Sequence, residues 1–456
     1  MRWSRTPEKA NIILRCPDIV GCQHLLLQPA EGKPIQDMAN EQPTVKTYTS
    51  ALQVLKVTEY RYLITARFFY IMALRMVTTV VGWRIYEITR NPFAIGLLGL
   101  SEFLPAFTLA LYAGHVIDKS DKRLMLTRTT FGYLLCVGAL IAISTHYAGT
   151  HMTTGWIQWT IYGIIFCTGV IRAFAGPTIN AIIAQIVSRD QLASAVTLNT
   201  SVFLLASVLG HATAGLLIAH TEYVVTFSIV ALYTTIALYF MYRISSKPIL
   251  LSSTEKKTLD SIFEGLRFVF KTREVLGAVA LDLFAVLFGG AVALIPVFAR
   301  DILKVGAIGF GWLNAATDIG AITVILTLTL FPLRRRQGTV LLYVVAGFGI
   351  CIILFGLSKV YLLSFLALVC SGILDGISVV IRGTILQLKT PDIMRGRVSA
   401  VNSMFINSSN ELGQFESGVV ARLMGTIPSV VFGGCMTIAV AVVTWFRAPS
   451  LRKMEY

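Results

Sequence analysis

Charged side chains inside long apolar runs are the residues of this sequence best placed to do chemistry. Asp282, Asp318 and Asp375 sit mid-run among small or apolar neighbours, and Glu102, Arg172, Arg382, Glu411 and Glu416 are similarly enclosed, with Arg67, Arg75 and Arg422 completing the set. A charge at the centre of a bilayer costs roughly 2.5–3.5 kcal/mol on insertion scales, so each needs a partner or a task. An acid whose surroundings alternate between burial and a nearby arginine can take up and release a proton. Asp282 and Asp375 are the first candidates for such a carrier, with Arg172 and Arg382 as partners. Asp318 and the pair Glu102 and Arg172 come next. Asp375 falls inside Gly372-x-x-x-Gly376, on a close-packed helix face. Glu411 and Glu416 are five residues apart, about 140° around a helix, and read as members of structural ion pairs. Arg67 and Arg84, towards the ends of the first run, are expected to snorkel to the surface.

Helices in lipid must hold these groups. The chain has 456 residues, 55% hydrophobic and 14% charged, with a mean hydropathy of +0.71, too little charge to cover a soluble surface. About 20 apolar residues at 1.5 Å each cross a ~30 Å hydrocarbon core, and a backbone in lipid must satisfy its own hydrogen bonds. The runs, among them 276–299 and 398–424, predict an all-α membrane protein of twelve transmembrane helices in two six-helix lobes. Residues 1–57 read as a polar cytoplasmic tail, 58–243 as the first lobe, 244–273 as a cytoplasmic linker, 274–447 as the second lobe and 448–456 as a second cytoplasmic tail. The fourth helix is expected over about 156–174, with Pro177 just beyond it. Within the linker, Leu259, Ile262, Phe263, Leu266, Val269 and Phe270 recur at helical spacing, as in an amphipathic surface helix. The first 37 residues show neither a signal peptide nor an apolar period, and Met38 offers a later start.

Lysine and arginine collect in alternate connections: Lys119, Lys122 and Arg123; Arg334, Arg335 and Arg336; Lys389, Arg395 and Arg397; Arg447, Arg452 and Lys453. By the positive-inside rule both termini are cytoplasmic and the helix count is even. The net charge of +15 therefore reads as topology, with no nucleic acid as partner. Seven cysteines show no CxxC pair and no metal-like spacing, and GxxxxGK[ST], HExxH and GxSxG are all missing. No metal, cofactor or enzymatic activity is expected, and any work must draw on an ion gradient or on downhill flow.

The halves repeat. Asn199, Gly210 and Gly215 match Asn402, Gly413 and Gly418 at an offset of 203, which Gly169 and Gly372 share. Small residues at such spacings let helices approach closely, and a duplicated six-helix unit is what two-lobed secondary transporters show.

The sharpest local signal runs from Gly114 through Asp118 and Lys119 to Asp121, Lys122 and Arg123. It resembles the signature loop between helices two and three of the major facilitator superfamily, with Asp121 where that family usually has glycine. Further stretches, 193–199 with Leu209 and Gly210, 281–301, 390–402 and 409–418, are similar to the transmembrane secretion effector branch, which includes enterobactin exporters and macrolide efflux pumps. The resemblance implies the major facilitator fold. It also implies that Gly114 permits close helix contact, that Asp118 latches onto the start of helix eleven near Gly396, and that Lys122 and Arg123 pair across the cytoplasmic gate. Arg172 matches a helix-four arginine often linked to proton coupling.

The expected function is proton-coupled export of an amphiphilic organic molecule, siderophore or drug-like, by alternating access. The setting would be the bacterial inner membrane, the partners the lipid bilayer, the small-molecule substrate and protons, and the state a monomer. A lipid or lysolipid translocator and a non-transporting sensor remain open, although a sensor gives no reason for the intramembrane acids. The charge asymmetry predicts that single cysteines near Ser252 and Arg335 label from the cytoplasm and those near His151 and Gly306 from outside. Labelling of position 252 by an impermeant reagent in intact cells would overturn that topology.

Overall fold

Thirteen helices carry the architecture: α1 Thr58–Thr89, α2 Pro92–Asp118, α3 Lys122–Ala142, α4 Thr154–Ile186, α5 Leu192–His220, α6 Tyr223–Tyr242, α7 Thr258–Lys271, α8 Arg273–Phe288, α9 Gly306–Leu330, α10 Gln337–Leu357, α11 Tyr361–Lys389, α12 Arg395–Met424 and α13 Thr426–Arg447. The computed structural model describes residues 51–246, 258–330, 336–391 and 394–455, and no strand occurs among them. The tail over 1–50, linker residues 247–257, and Arg334 and Arg335 lie outside the described residues. The amphipathic period in the linker forms α7, although the side chains of Leu259 and Ile262 also lie outside that description.

Local chemistry sets the helix ends. Asn91 accepts from the Phe93 amide at 3.0 Å, with Pro92 pre-set for the first turn of α2. Thr153 caps α4 through the Trp156 amide at 3.4 Å. That helix runs through Pro177 to Ile186 instead of stopping near residue 174. A proline inside a transmembrane helix is tolerated where neighbouring helices and hydroxyls satisfy the freed backbone, and the Thr178 hydroxyl donates to the Phe174 carbonyl at 2.6 Å. Beyond α8, Gly289 opens a tight turn over Gly290–Leu294, and a wide turn over Phe298–Ile302 ends the span.

Eleven described helices are long and apolar enough to cross a membrane. The twelfth, α12, is long enough, its 30 residues reaching about 45 Å, but it carries Asn402, Asn407, Asn410, Glu411, Gln414 and Glu416. It stands because protein surrounds it: α2 on one side, α8 and α13 on the other, and α7 along its beginning. Helices α1–α6 pack chiefly on one another, as do α8–α13, and the two groups meet where α2 crosses α12 and α5 crosses α9.

The glycines at offset 203 occupy equivalent crossings. A Cβ at Gly210 would lie 2.8 Å from the Met72 carbonyl oxygen of α1, and one at Gly413 would lie 2.8 Å from the Val286 oxygen of α8. Gly169 abuts the Glu102 carbonyl of α2, and Gly372 the Thr317 carbonyl of α9. Between the lobes, Gly215 meets Ala307 and Gly311 of α9, while Gly418 meets Gly96 and Pro92 of α2. Asn199 is buried with its side-chain Oδ1 unpartnered among the described residues, and Asn402 is half-buried.

Arg84 does not snorkel. It is 9% exposed, donates to the Ser144 hydroxyl and, at 3.1 Å, to the Ile143 carbonyl, and lies over the Tyr223 ring. The frayed end of α3 supplies acceptors closer than the membrane surface does.

Gly215→Ala places its methyl 2.6 Å from the Ala307 oxygen, so it is expected to cost about 1–3 kcal/mol through forced helix separation. Gly82→Ala, with nothing within 4 Å, is expected to leave thermal stability unchanged. Equal melting temperatures for the two variants in detergent would refute this account of the α5–α9 crossing.

Candidate functional site

One guanidinium joins the two lobes. Nη1 of Arg172, on α4, donates to Glu102 Oε1 of α2 at 2.8 Å and to Glu411 Oε1 of α12 at 2.6 Å. Gly169, one turn before Arg172, lets α4 sit against α2, and Gly99 sets α2 against Glu411 and Gln414. Gln414 donates to the other Glu411 oxygen at 3.3 Å. The Glu411 side chain is 6% exposed and that of Arg172 37% exposed, so the cluster is buried on the α12 side and reachable on the other. Ser403, Asn407 and Asn410 follow at helical spacing on α12, and all three are exposed. In a membrane such a polar stripe must face a water-lined space.

A second cluster lies within the C-terminal lobe. Asp282 of α8 pairs with Nη1 of Arg382 of α11, whose Nε also donates to the Ser378 hydroxyl at 3.2 Å. Asp375, one turn before Ser378, lies within electrostatic reach of both charges. A void of about 10 Å³ lies beside Asp282, Asp375 and Ser378, roughly the room one water needs. Asp318 is elsewhere: its Oδ2 accepts from the Ser207 hydroxyl at 2.5 Å and lies 3.7 Å from His211 Nε2. His211 Nδ1 is 2.6 Å from the Thr79 hydroxyl, which itself donates to the Arg75 carbonyl at 2.9 Å. This chain links α1, α5 and α9, and His211 was not singled out in the sequence. The signal available was a histidine one residue past Gly210, in the middle of a run whose other ionisable group, His220, sits at its very end. Glu416 stands apart from all three clusters, accepting from its neighbour Ser417 at 3.5 Å. Arg422 lies over the Phe93 ring. Among the described residues no group of three or more His, Cys, Asp or Glu side chains is arranged to hold a metal ion.

At the α1–α2 end of the bundle the lobes are latched. The Tyr86 hydroxyl donates to Asp301, which also lies 3.6 Å from Arg90 Nη1. Arg300 reaches Glu87 at 3.4 Å, and Glu87 accepts from the Tyr223 hydroxyl. The Trp83 and Phe310 rings pack against each other at 5.0 Å, tilted by 37°. These partners also escaped the sequence reading, because nothing local marks a donor and an acceptor 215 positions apart.

The profile of one family, described as transmembrane secretion effector, matches residues 49–456. The chain belongs to this family of transporters. It is 24% identical over 401 residues to the enterobactin exporter EntS of Shigella boydii, covering 87% of this chain and 93% of that protein, and equally to the same exporter of Escherichia coli. Among solved structures, the POT family transporter PepTSo superposes with a TM-score of 0.66 at 13% identity, over 88% of this chain and 99% of that one. The likeness establishes the major facilitator fold, and the family together with its exporter relatives makes this secretion effector a multi-pass membrane transporter rather than an enzyme.

Its signature loop is ordered by contacts within its own lobe. In this structure of the secretion effector Gly114 faces open space, with nothing within 4 Å of a built Cβ. Lys122 Nζ donates to the Ile117 and Ser120 carbonyls at 2.6 and 3.0 Å, closing the C-terminus of α2. Arg123 donates to the Tyr242 carbonyl at 2.7 Å and stacks over that ring. These contacts of both cations lie within the N-terminal lobe, where unsatisfied helix carbonyls are close at hand. Asp121, in the glycine position, is the N-cap of α3: it accepts from the Arg123 and Leu124 amides at 2.8 and 3.3 Å and from the Ser246 hydroxyl. Burial pushes its carboxyl up, but the Ser246 bond, the two amides and the Arg123 charge together hold it below the usual range. The side chain of Asp118 lies outside the described residues.

Asp301→Asn weakens the latch. Partly exposed pairs contribute at most about 1 kcal/mol, so labelling of interlobe cysteines from the α1–α2 side is expected to rise about twofold to fivefold. Unchanged labelling with intact expression would show that Asp301 does not hold this end shut.

Proposed function

We propose that this secretion effector is a proton-coupled exporter of an amphiphilic organic molecule in the bacterial inner membrane. It would act by alternating access, rocking residues 58–243 against residues 274–447. The observation that carries the reading is Arg172 shared between a carboxylate of each lobe. Glu102 and Glu411 together carry one more negative charge than the guanidinium neutralises. When the lobes part on that side, Glu411 leaves its cation and is more stable as the neutral acid. When they close, Arg172 again favours the carboxylate and the proton departs. The exposed face of Arg172 gives that proton a route to water. The 24% identity to an enterobactin exporter supports an outward direction.

A second reading rests on the Asp282, Asp375 and Arg382 cluster, which also sets two acids against one arginine beside a void large enough for a water. Because α8 and α11 belong to one lobe, rocking need not separate Asp282 from Arg382. This makes the pair better suited to holding the lobe together, and removal of one member of a buried pair costs about 3–5 kcal/mol.

The test is efflux of a fluorescent amphiphile from proteoliposomes under an imposed pH gradient. Glu411→Gln is expected to fold, to equilibrate the probe downhill, and to lose gradient-driven export by about tenfold or more. Asp375→Asn is expected to retain it, and Asp282→Asn to lose folded protein. Gradient-driven pumping by Glu411→Gln at the unaltered rate would refute the proposal, and its loss in Asp375→Asn alone would move the carrier to the C-terminal cluster.

A further inference from the structure

Two cations on α1 take no part in the clusters above. Arg67 and Arg75 form no ion pair and donate no side-chain hydrogen bond among the described residues, and the Nε of each is buried without a partner. Their guanidinium carbons lie 5.7 and 5.4 Å from the centroid of one ring, Phe203 of α5. Arg75 is within electrostatic reach of Asp318, His211 and Glu411, so it faces the opposite lobe. Arg67 is within reach of tyrosines, Tyr60 and Tyr70.

The internal repeat shows how this imbalance arises. Glu102 and Thr317, whose carbonyls meet equivalent glycines, are 215 positions apart. At the same offset Arg67 is the counterpart of Asp282. Asp282 is neutralised by Arg382, but the counterpart of Arg382 at the offset of 203 is Ile179. The N-terminal lobe thus carries the ion at this level without its counter-ion. A guanidinium that lies over a ring face and donates no hydrogen bond keeps its donors for another acceptor.

We propose that Arg67, Arg75 and Phe203 form a subsite for an anionic group of the transported molecule. The group is an oxyanion such as a carboxylate, phenolate, sulfonate or phosphate, attached to an aromatic or otherwise apolar body. This rests on the export reading and adds a substrate class to it. The two arginines are eight residues apart, about 12 Å along the helix, and both guanidinium groups reach the same ring. An apolar body packs against the edge of Phe203 while the oxyanion takes the guanidinium fork, whose planar donors match an oxyanion better than an ammonium does.

The test uses two dyes of nearly the same shape, anilinonaphthalene sulfonate and its uncharged parent phenylnaphthylamine, titrated into protein in nanodiscs with empty discs subtracted. The native protein is expected to bind the sulfonate about tenfold or more tightly than the neutral dye, as expected for a desolvated charge contact. Arg67→Gln and Arg75→Gln should each abolish most of that preference while leaving the neutral dye unaffected. Arg67→Lys, which keeps the charge, should retain part of it, and Phe203→Leu should weaken both dyes alike. If a glutamine variant fails to fold, the lysine and leucine variants still decide. Equal affinity of the native protein for the two dyes, or an unaltered preference in folded Arg67→Gln, would overturn the subsite. Should the preference be missing while Glu411→Gln still abolishes pumping, the subsite alone falls. Should it be present while export ignores the pH gradient, proton coupling falls and the subsite stands.

Discussion

The guanidinium of Arg172, bonded at once to Glu102 and Glu411, is the contact on which the interlobe arrangement turns. It requires α12 to bring a carboxylate into the middle of the membrane, and α12 is the helix too polar to stand in lipid alone. It therefore has to be enclosed by α2, α8 and α13, and the glycine crossings at Gly96, Gly418, Gly290 and Gly413 allow that enclosure to be tight. Polar satisfaction and close packing are thus two sides of one requirement.

The same requirement decides how much of the protein could be read from its sequence. Apolar run length specified the helices, because hydrocarbon thickness is a one-dimensional constraint. The offset of 203 correctly pointed to repeated structure, and its glycines fall at equivalent crossings. Local competition was harder to foresee. Pro177 lies within α4 because neighbouring helices and the Thr178 hydroxyl tolerate it, Arg84 turned inward to carbonyls at the end of α3, and Lys122 capped the end of α2. For Arg84 and Lys122 a nearby backbone group outcompeted a more distant expected partner.

The clusters themselves were legible as a set of residues but not as groupings. Asp282 with Arg382 and Glu102 with Arg172 each join helices of one lobe, whereas Glu411 with Arg172 joins helices 239 positions apart. Nothing in the spacing of a single sequence tells which acid the arginine will choose. The choice follows from helix crossings set by glycines well away from the charges. His211 was missed for a related reason, since its meaning comes from Thr79 and Asp318 on two other helices.

Tyr86 and Asp301, which meet at the α1–α2 end, are themselves counterparts in the two repeats, 215 positions apart. Two identical subunits related by a two-fold axis would set tyrosine against tyrosine there, or aspartate against aspartate. In the second arrangement like charges would repel across the axis. Joining the halves in one chain removes that restriction, because each copy of the position can mutate alone. A donor can then face an acceptor on the axis itself, so the latch is a contact that diverged lobes can make and identical ones cannot.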